Sequence, residues 1–143
     1  MSNCDCIKLE NQICFALYAA SREVIKLYKP ILDKYNLTYT QYVAMLVLWE
    51  NERMTVKEIG QRLHLDSGTL TPLLKKLEQR GLITRHRDTN DDRVVIVNLT
   101  EAGIKLKSEI LDVPGEVFCK MHISGEQAKE LMHNLENLLQ CLK

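Results

Sequence analysis

Thr55-Val56-Lys57-Glu58-Ile59-Gly60-Gln61-Arg62-Leu63, followed by His64-Leu65-Asp66-Ser67-Gly68-Thr69-Leu70-Thr71-Pro72-Leu73-Leu74-Lys75-Lys76-Leu77-Glu78-Gln79-Arg80-Gly81, reads as a helix, a turn and a second helix. His64 and Leu65 form the turn, and Asp66 or Ser67 can cap the next helix by accepting a backbone N–H. Leu70, Leu73, Leu74 and Leu77 then recur at i, i+3, i+4 and i+7, so they share one buried face. The other side carries Ser67, Gly68, Thr69, Thr71, Lys75, Lys76 and Gln79. Hydroxyls and amides suit base edges in a major groove, and lysines suit phosphates. Gly81 ends the helix, because glycine takes the left-handed conformation without strain. Two β-rich runs, 82–87 and 93–99, follow around the polar tip Asp88-Thr89-Asn90-Asp91-Asp92, with Arg85, Arg87 and Arg93 on or beside them. An ordinary α+β domain with a solvated helix face would explain the helix pair alone. The hairpin and its arginines predict a winged helix-turn-helix, mostly α with a small β-hairpin wing, set against double-stranded DNA.

One local rule is broken inside this stretch. Pro72 deletes a backbone hydrogen bond where the recognition helix should be regular. Either the helix starts at Thr71, with Pro72 at the favoured first position, or an irregular first turn precedes it.

Working outward, Ile13, Leu17, Ala20, Val24 and Leu27 trace an apolar stripe of helical period, which predicts a helix of about 20 residues ending before Pro30. Leu37 and Thr38 lead into a helix over 39–50, with Tyr42, Met45, Leu46 and Trp49 at helical spacing. Thr100 can cap a helix from Glu101, which Pro114-Gly115 should interrupt or bend. Ser124 and Gln127 form a capping box that opens a terminal helix, with Leu131, Leu135, Leu138, Leu139 and Leu142 on one side. The expected organisation is one domain over 1–143, with the winged core at about 39–100 and flanking helices at about 7–30 and 101–143. In a monomer the flanking helices would have to fold back on the core. Two recognition helices spanning successive major grooves of a palindrome favour a homodimer built from them.

The formal net charge is zero, but its distribution is uneven. Residues 53–87 hold eight Lys/Arg against three acids, whereas 1–52 and 101–143 are slightly acidic. Phosphate binding depends on the local field, so the charge lies where the motif needs it. No apolar run approaches the ~18 residues of a membrane span, and the start of the chain lacks a secretory pattern, so a cytoplasmic protein without membrane contact is expected. The five cysteines, Cys4, Cys6, Cys14, Cys119 and Cys141, therefore suggest reactivity, metal binding or core filling rather than a disulfide scaffold. His64, His86, His122 and His133 show no zinc-ligand spacing, and no metal or cofactor is expected.

The helix pair, the Arg80-Gly81-Leu82-Ile83 exit, the Asp91-Asp92-Arg93 tip and Leu99-Thr100-Glu101-Ala102-Gly103 together resemble the MarR family over nearly the whole chain. At the start, Leu9-Glu10-Asn11-Gln12-Ile13-Cys14-Phe15-Ala16-Leu17-Tyr18 is similar to the signature of the organic-hydroperoxide-resistance repressors, and Tyr28-Lys29-Pro30 and Leu37-Thr38-Tyr39-Thr40-Gln41-Tyr42 agree. The resemblance implies a dimeric repressor whose sensing cysteine is Cys14, hydrogen-bonded by Tyr28 and Tyr39 of the other subunit, with organic hydroperoxide as inducer. A thiolate attacking the O–O bond leaves a sulfenic acid, and phenolic donors stabilise that thiolate. Apolar Phe15, Leu17 and Trp49 would favour an organic peroxide over hydrogen peroxide. Without the resemblance, Cys14 reads as a small apolar residue and the tyrosines as core aromatics. The family divides by the fate of the sulfenate. Cys119 lies in the segment where one branch carries a resolving cysteine; Cys141 or a small thiol are the alternatives. The implied DNA contacts are Ser67, Thr69, Thr71, Lys75, Lys76, Arg85 and Arg93. A repressor released by a metal or phenolic ligand is the competing reading. A thiol peroxidase is a third, disfavoured because the chain lacks both a βαβ pattern and C-x-x-C.

Overall fold

Helix α1, Ile13–Leu32, follows two 3-10 turns at Asp5–Ile7 and Leu9–Asn11 in the computed structural model, which describes residues 5–143. Of the five cysteines, Cys4 lies outside the described residues. Gln12 and Asn11 tie the turns to α1, Gln12 Nε2 donating to the carbonyls of Cys6 (2.6 Å) and Lys8 (3.1 Å) and Asn11 Nδ2 to that of Asp5 (2.8 Å). The helix does not stop before Pro30 as its sequence suggests. Ile31 and Leu32 are both buried in the core, and their burial holds the last turn in helical form past the proline.

A 3-10 turn at Asp33–Tyr35 and a left-handed Asn36 redirect the chain into α2, Tyr39–Asn51. Thr38 and Gln41 close a reciprocal capping box at its start. Tyr42, Ala44, Met45, Val47, Leu48 and Trp49 are all buried, so α2 is the pillar on which the winged lobe is built.

Strand β1 (Arg53–Thr55), α3 (Val56–Leu63), α4 (Ser67–Gln79), β2 (Ile83–Arg87) and β3 (Val95–Leu99) follow in the predicted order. The additional strand is β1, three residues that no periodicity could flag; it pairs antiparallel with β3, with Met54 opposite Val97. Sheet order is β1-β3-β2, and the hairpin strands start one and two residues later than the sequence suggested. Thr55 and Glu58 cap α3 reciprocally, and Asp66 caps α4. Leu70, Leu73, Leu74 and Leu77 are buried as expected. The alternative start at Thr71 does not occur: α4 begins at Ser67 and contains Pro72 in its second turn. Thr71 Oγ1 donates to the Ser67 carbonyl (2.7 Å), an extra bond beside the one that proline removes.

Thr100 caps α5, Glu101–Glu109, as expected. The break falls before Pro114 rather than at it, and the proline occupies the permissive first turn of α6, Val113–Met121. Ser124 and Gln127 cap α7, Gly125–Cys141. No residue of α7 is buried, and along α1 only Ile31 and Leu32 are. Ile13 is 74% and Leu142 72% exposed.

The joint between α2 and α5 is tight. Trp49 Nε1 donates to the Gly103 carbonyl (2.9 Å) in a buried bond, and a Cβ on Gly103 would sit 2.2 Å from the Leu82 carbonyl oxygen. Backbone cannot yield as a side-chain tip does, so Gly103→Ala should cost about 1–3 kcal/mol. Urea unfolding at fixed protein concentration checks this: the midpoint should fall with the slope unchanged. A midpoint matching wild type would show that the close approach is not maintained in solution.

Candidate functional site

The polar face of α4 is built from its first turn. Asp66 Oδ1 accepts from the Thr69 backbone N–H (2.7 Å), and hydrogen bonds from Thr69 hold the Asp66 carboxyl below the usual range. This cap leaves Ser67, Gly68 and Thr69 exposed at the helix entrance, with Thr71, Lys75 and Lys76 exposed along the same helix. Thr71 presents its hydroxyl with the proton already given to Ser67, so its oxygen remains an acceptor.

A groove of about 1040 Å³ opens between α3, the start of α4 and the tip end of the hairpin. Ser67, Thr71 and Arg93 border it, and so do Lys57, Gln61 and His64. These last three were missed in the sequence, although their spacing of four and three residues along and just beyond α3 marks one exposed side. At the hairpin tip Arg93 is held in place without being buried. Its Nε and Nη2 donate to Asp91 (3.1 and 3.3 Å), while its side chain stays 88% exposed. Hydrogen bonds from Arg93 keep the Asp91 carboxyl below its ordinary range. Arg87 Nη1 donates to the Asp92 carbonyl (2.6 Å), so both flanks of the tip are pinned.

Arg85 is placed differently from the other expected contacts. Its guanidinium donates to Glu78 of α4 (3.1 Å), and its backbone N–H donates to the same carboxylate (3.0 Å). Its Nε is buried without a partner among the described residues. Arg85 therefore faces the recognition helix, bracing the edge strand β2 against it, and the Arg85 hydrogen bond holds the Glu78 carboxyl below its usual range.

At the far side of α2 the rings of Tyr28 and Tyr39 meet with centroids 4.8 Å apart, and Tyr28 lies 5.8 Å from Tyr42. Burial, then the nearby Tyr39, pushes the Tyr28 phenol up from its ordinary value. Burial and the same neighbours push Tyr42 up to about 12. Both phenols are therefore protonated at neutral pH and able to donate. Tyr28 and Tyr39 line a recess of about 190 Å³ walled by Ile25, Leu32 and Leu37.

Cys14 is not at this recess. It lies fourteen residues before Tyr28 on the same helix, about 21 Å away at a helical rise of ~1.5 Å per residue. The thiol is free and exposed, next to the exposed Ile13 and Phe15. Cys119 is likewise free and exposed on α6, beside exposed Phe118, and Cys6 and Cys141 are exposed too. Trp49, expected beside the peroxide, is only 9% exposed and its indole is committed to Gly103. Phe15 and Leu17 remain exposed on α1.

Residues 26–110 match the family described as transcriptional regulator SarA/Rot. The organic hydroperoxide resistance transcriptional regulator of Bacillus subtilis is 55% identical over 138 residues, covering 96% of this chain and 94% of that protein. Among solved structures, reduced AbfR bound to DNA superposes with a TM-score of 0.78 at 35% identity, covering 94% of each chain; AbfR is a Staphylococcus epidermidis protein. Its disulfide form superposes with a TM-score of 0.68, also at 35% identity, covering 92% of each chain. The family model spans the winged lobe and both tyrosines, whereas the Bacillus subtilis and AbfR matches extend over nearly the whole chain, and the relatives are regulators rather than enzymes. The chain belongs to the MarR/SarA-type winged-helix transcriptional regulators, in the branch of the organic hydroperoxide resistance regulators.

Proposed function

We propose that the reduced protein is a homodimeric repressor on palindromic DNA, and that organic hydroperoxide releases it by oxidising Cys14. The observation that carries this reading is the separation of Cys14 from Tyr28 along one helix. A single chain cannot bring that thiol to its own phenols. A second copy, covering the exposed apolar faces of α1 and α7, brings Cys14 against the partner's Tyr28 and the partner's Tyr39. Their hydroxyls donate to the Cys14 thiolate and position the peroxide.

The thiolate attacks one peroxide oxygen, the O–O bond breaks, and the alkoxide leaves with a proton as the alcohol. Cys14 is oxidised to a sulfenic acid and the peroxide is reduced. A Cys119 thiolate then attacks the sulfenic sulfur, forming the disulfide as the S–O bond breaks and hydroxide leaves, taking a proton from solvent to become water. Such a bond needs α6 and α1 to approach across the dimer, which changes the spacing of the two winged lobes. On DNA, Ser67, Thr69 and Thr71 meet base edges, Lys75 and Lys76 meet phosphates, and Arg93 enters the adjacent minor groove. Arg85 serves the same surface by bracing β2. Binding an operator places the protein in the compartment that holds the chromosome, the cytoplasm.

In a gel-shift assay on the palindrome upstream of its own gene, Cys14→Ser should bind DNA as wild type does and stay bound when organic hydroperoxide is added. Release of that variant by peroxide would remove Cys14 from the sensing role. Arg93→Ala should weaken binding about tenfold, near 1.4 kcal/mol, and lower the log–log salt slope by about 0.9 per protomer. Unchanged affinity and slope would take the hairpin out of the interface. On non-reducing gels, peroxide should produce a dimer-sized band that requires both Cys14 and Cys119. A band lost in Cys141→Ser but kept in Cys119→Ser transfers the resolving role to α7, and a small-thiol adduct on Cys14 with no band removes an internal resolving cysteine.

A further inference from the structure

Tyr28, one turn before the end of α1, and Tyr39, the first residue of α2, flank a short connector, the 3-10 turn Asp33–Tyr35 and the left-handed Asn36. The connector is stiff. The Asn36 N–H donates to the Asp33 carbonyl (3.1 Å) and the Leu37 N–H to that of Leu32 (3.2 Å), Leu37 is buried, and the Thr38 capping box closes its far end. Two elements distant in sequence grip this connector from outside. Arg80, the residue that ends α4, donates Nη1 to the Asn36 carbonyl (2.5 Å) and Nη2 to the Tyr35 carbonyl (2.9 Å). Tyr35 Oη donates to the carbonyl of Glu109, the last residue of α5 (3.1 Å).

We infer that Arg80 is a positioning residue, fixing the recognition helix to the connector between the helices of the tyrosine pair so that changes at the pocket are delivered to α4. The inference rests on the redox reading of that pocket. A guanidinium is a planar fork that is always charged, and two adjacent carbonyls are a fitting target for it. Those carbonyls follow the C-terminal end of α1, where the helix dipole favours a cation. On its other side the connector holds the end of α5, and three residues beyond lies α6 with Cys119. A pull on α6, or a shift of the partner's Cys14 against Tyr28 and Tyr39, therefore acts on the segment that Arg80 grips. Leverage lies at the far end of α4: the helix is about 20 Å long, so a tilt of ~10° about Arg80 moves Ser67 by ~3 Å, the length of a hydrogen bond.

The test compares operator affinity of the reduced and the peroxide-treated protein by fluorescence anisotropy, for wild type, Arg80→Gln and Tyr35→Phe. Thiol titration follows Cys14 in parallel. Both variants should oxidise Cys14 at the wild-type rate and bind DNA in the reduced state within about threefold of wild type. The ratio of oxidised to reduced Kd, which measures the coupling between pocket and DNA, should fall at least tenfold in Arg80→Gln. It should fall in the same direction in Tyr35→Phe, which removes one hydroxyl and keeps the ring should Arg80→Gln fold poorly. Wild-type ratios in both variants overturn the inference. An equal loss of affinity in both redox states, with a smaller salt slope, makes Arg80 a phosphate contact and also overturns it. A wild-type protein whose affinity ignores peroxide overturns the redox reading together with this one, so the two failures are distinguishable.

Discussion

An α-helix rises ~1.5 Å per residue and does not shorten, and that constraint governs this molecule. Helix α1 carries Cys14 at its first turn and Tyr28 near its last, so the two groups of the proposed sensor are held apart within every chain. The same helix presents an apolar face that its own chain leaves exposed. Both deficits have one remedy, a second copy laid alongside. In the proposed dimer the second copy does more than space two recognition helices on DNA: it completes the chemistry. A protomer alone would have a thiol without donors and donors without a thiol.

The winged lobe uses its carboxylates to arrange cations. Asp91 orients Arg93 at the hairpin tip, Glu78 draws Arg85 onto α4, and Asp66 caps α4. Each carboxyl is held below its ordinary range by the group it binds. Groups depressed in this way contribute stability above the unfolded carboxylate pKa and lose it only as pH falls through the lower folded value. Near neutrality all three stay ionised and the lobe keeps its shape. A chain of zero net charge thus still carries a local excess of cations in this lobe, since residues 53–87 hold eight Lys/Arg against three acids.

What could be read from the sequence was local. Thr38, Thr55, Thr100 and Ser124 cap helices through partners three residues away, and the four leucines of α4 announce their face by spacing alone. What could not be read depends on partners far along the chain. Pro30 stays helical because Ile31 and Leu32 find the core, and β1 exists because β3 returns to pair with it. Arg85 looks like a DNA contact until Glu78 takes its guanidinium, and Trp49 looks like a pocket wall until Gly103 accepts its N–H. Cys14, Tyr28 and Tyr39 were legible only through resemblance; as residue types on amphipathic helices they read as packing.

The proton inventory of the tyrosine pocket bears on what kind of signal it can sense. Burial raises the phenols of Tyr28 and Tyr42, the latter to about 12, so neither titrates across the pH range in which a cell lives. Tyr28, one of the two proposed donors, therefore stays protonated, and among the described residues no histidine lines its recess. Among the groups assembled there in a dimer, the one whose covalent state changes readily is the incoming thiol, and the reagent that changes it is an electrophilic peroxide oxygen. In the proposed dimer, a site with a constant Tyr28 donor, an incoming thiol and Ile25, Leu32 and Leu37 among its walls would answer to oxidation of Cys14.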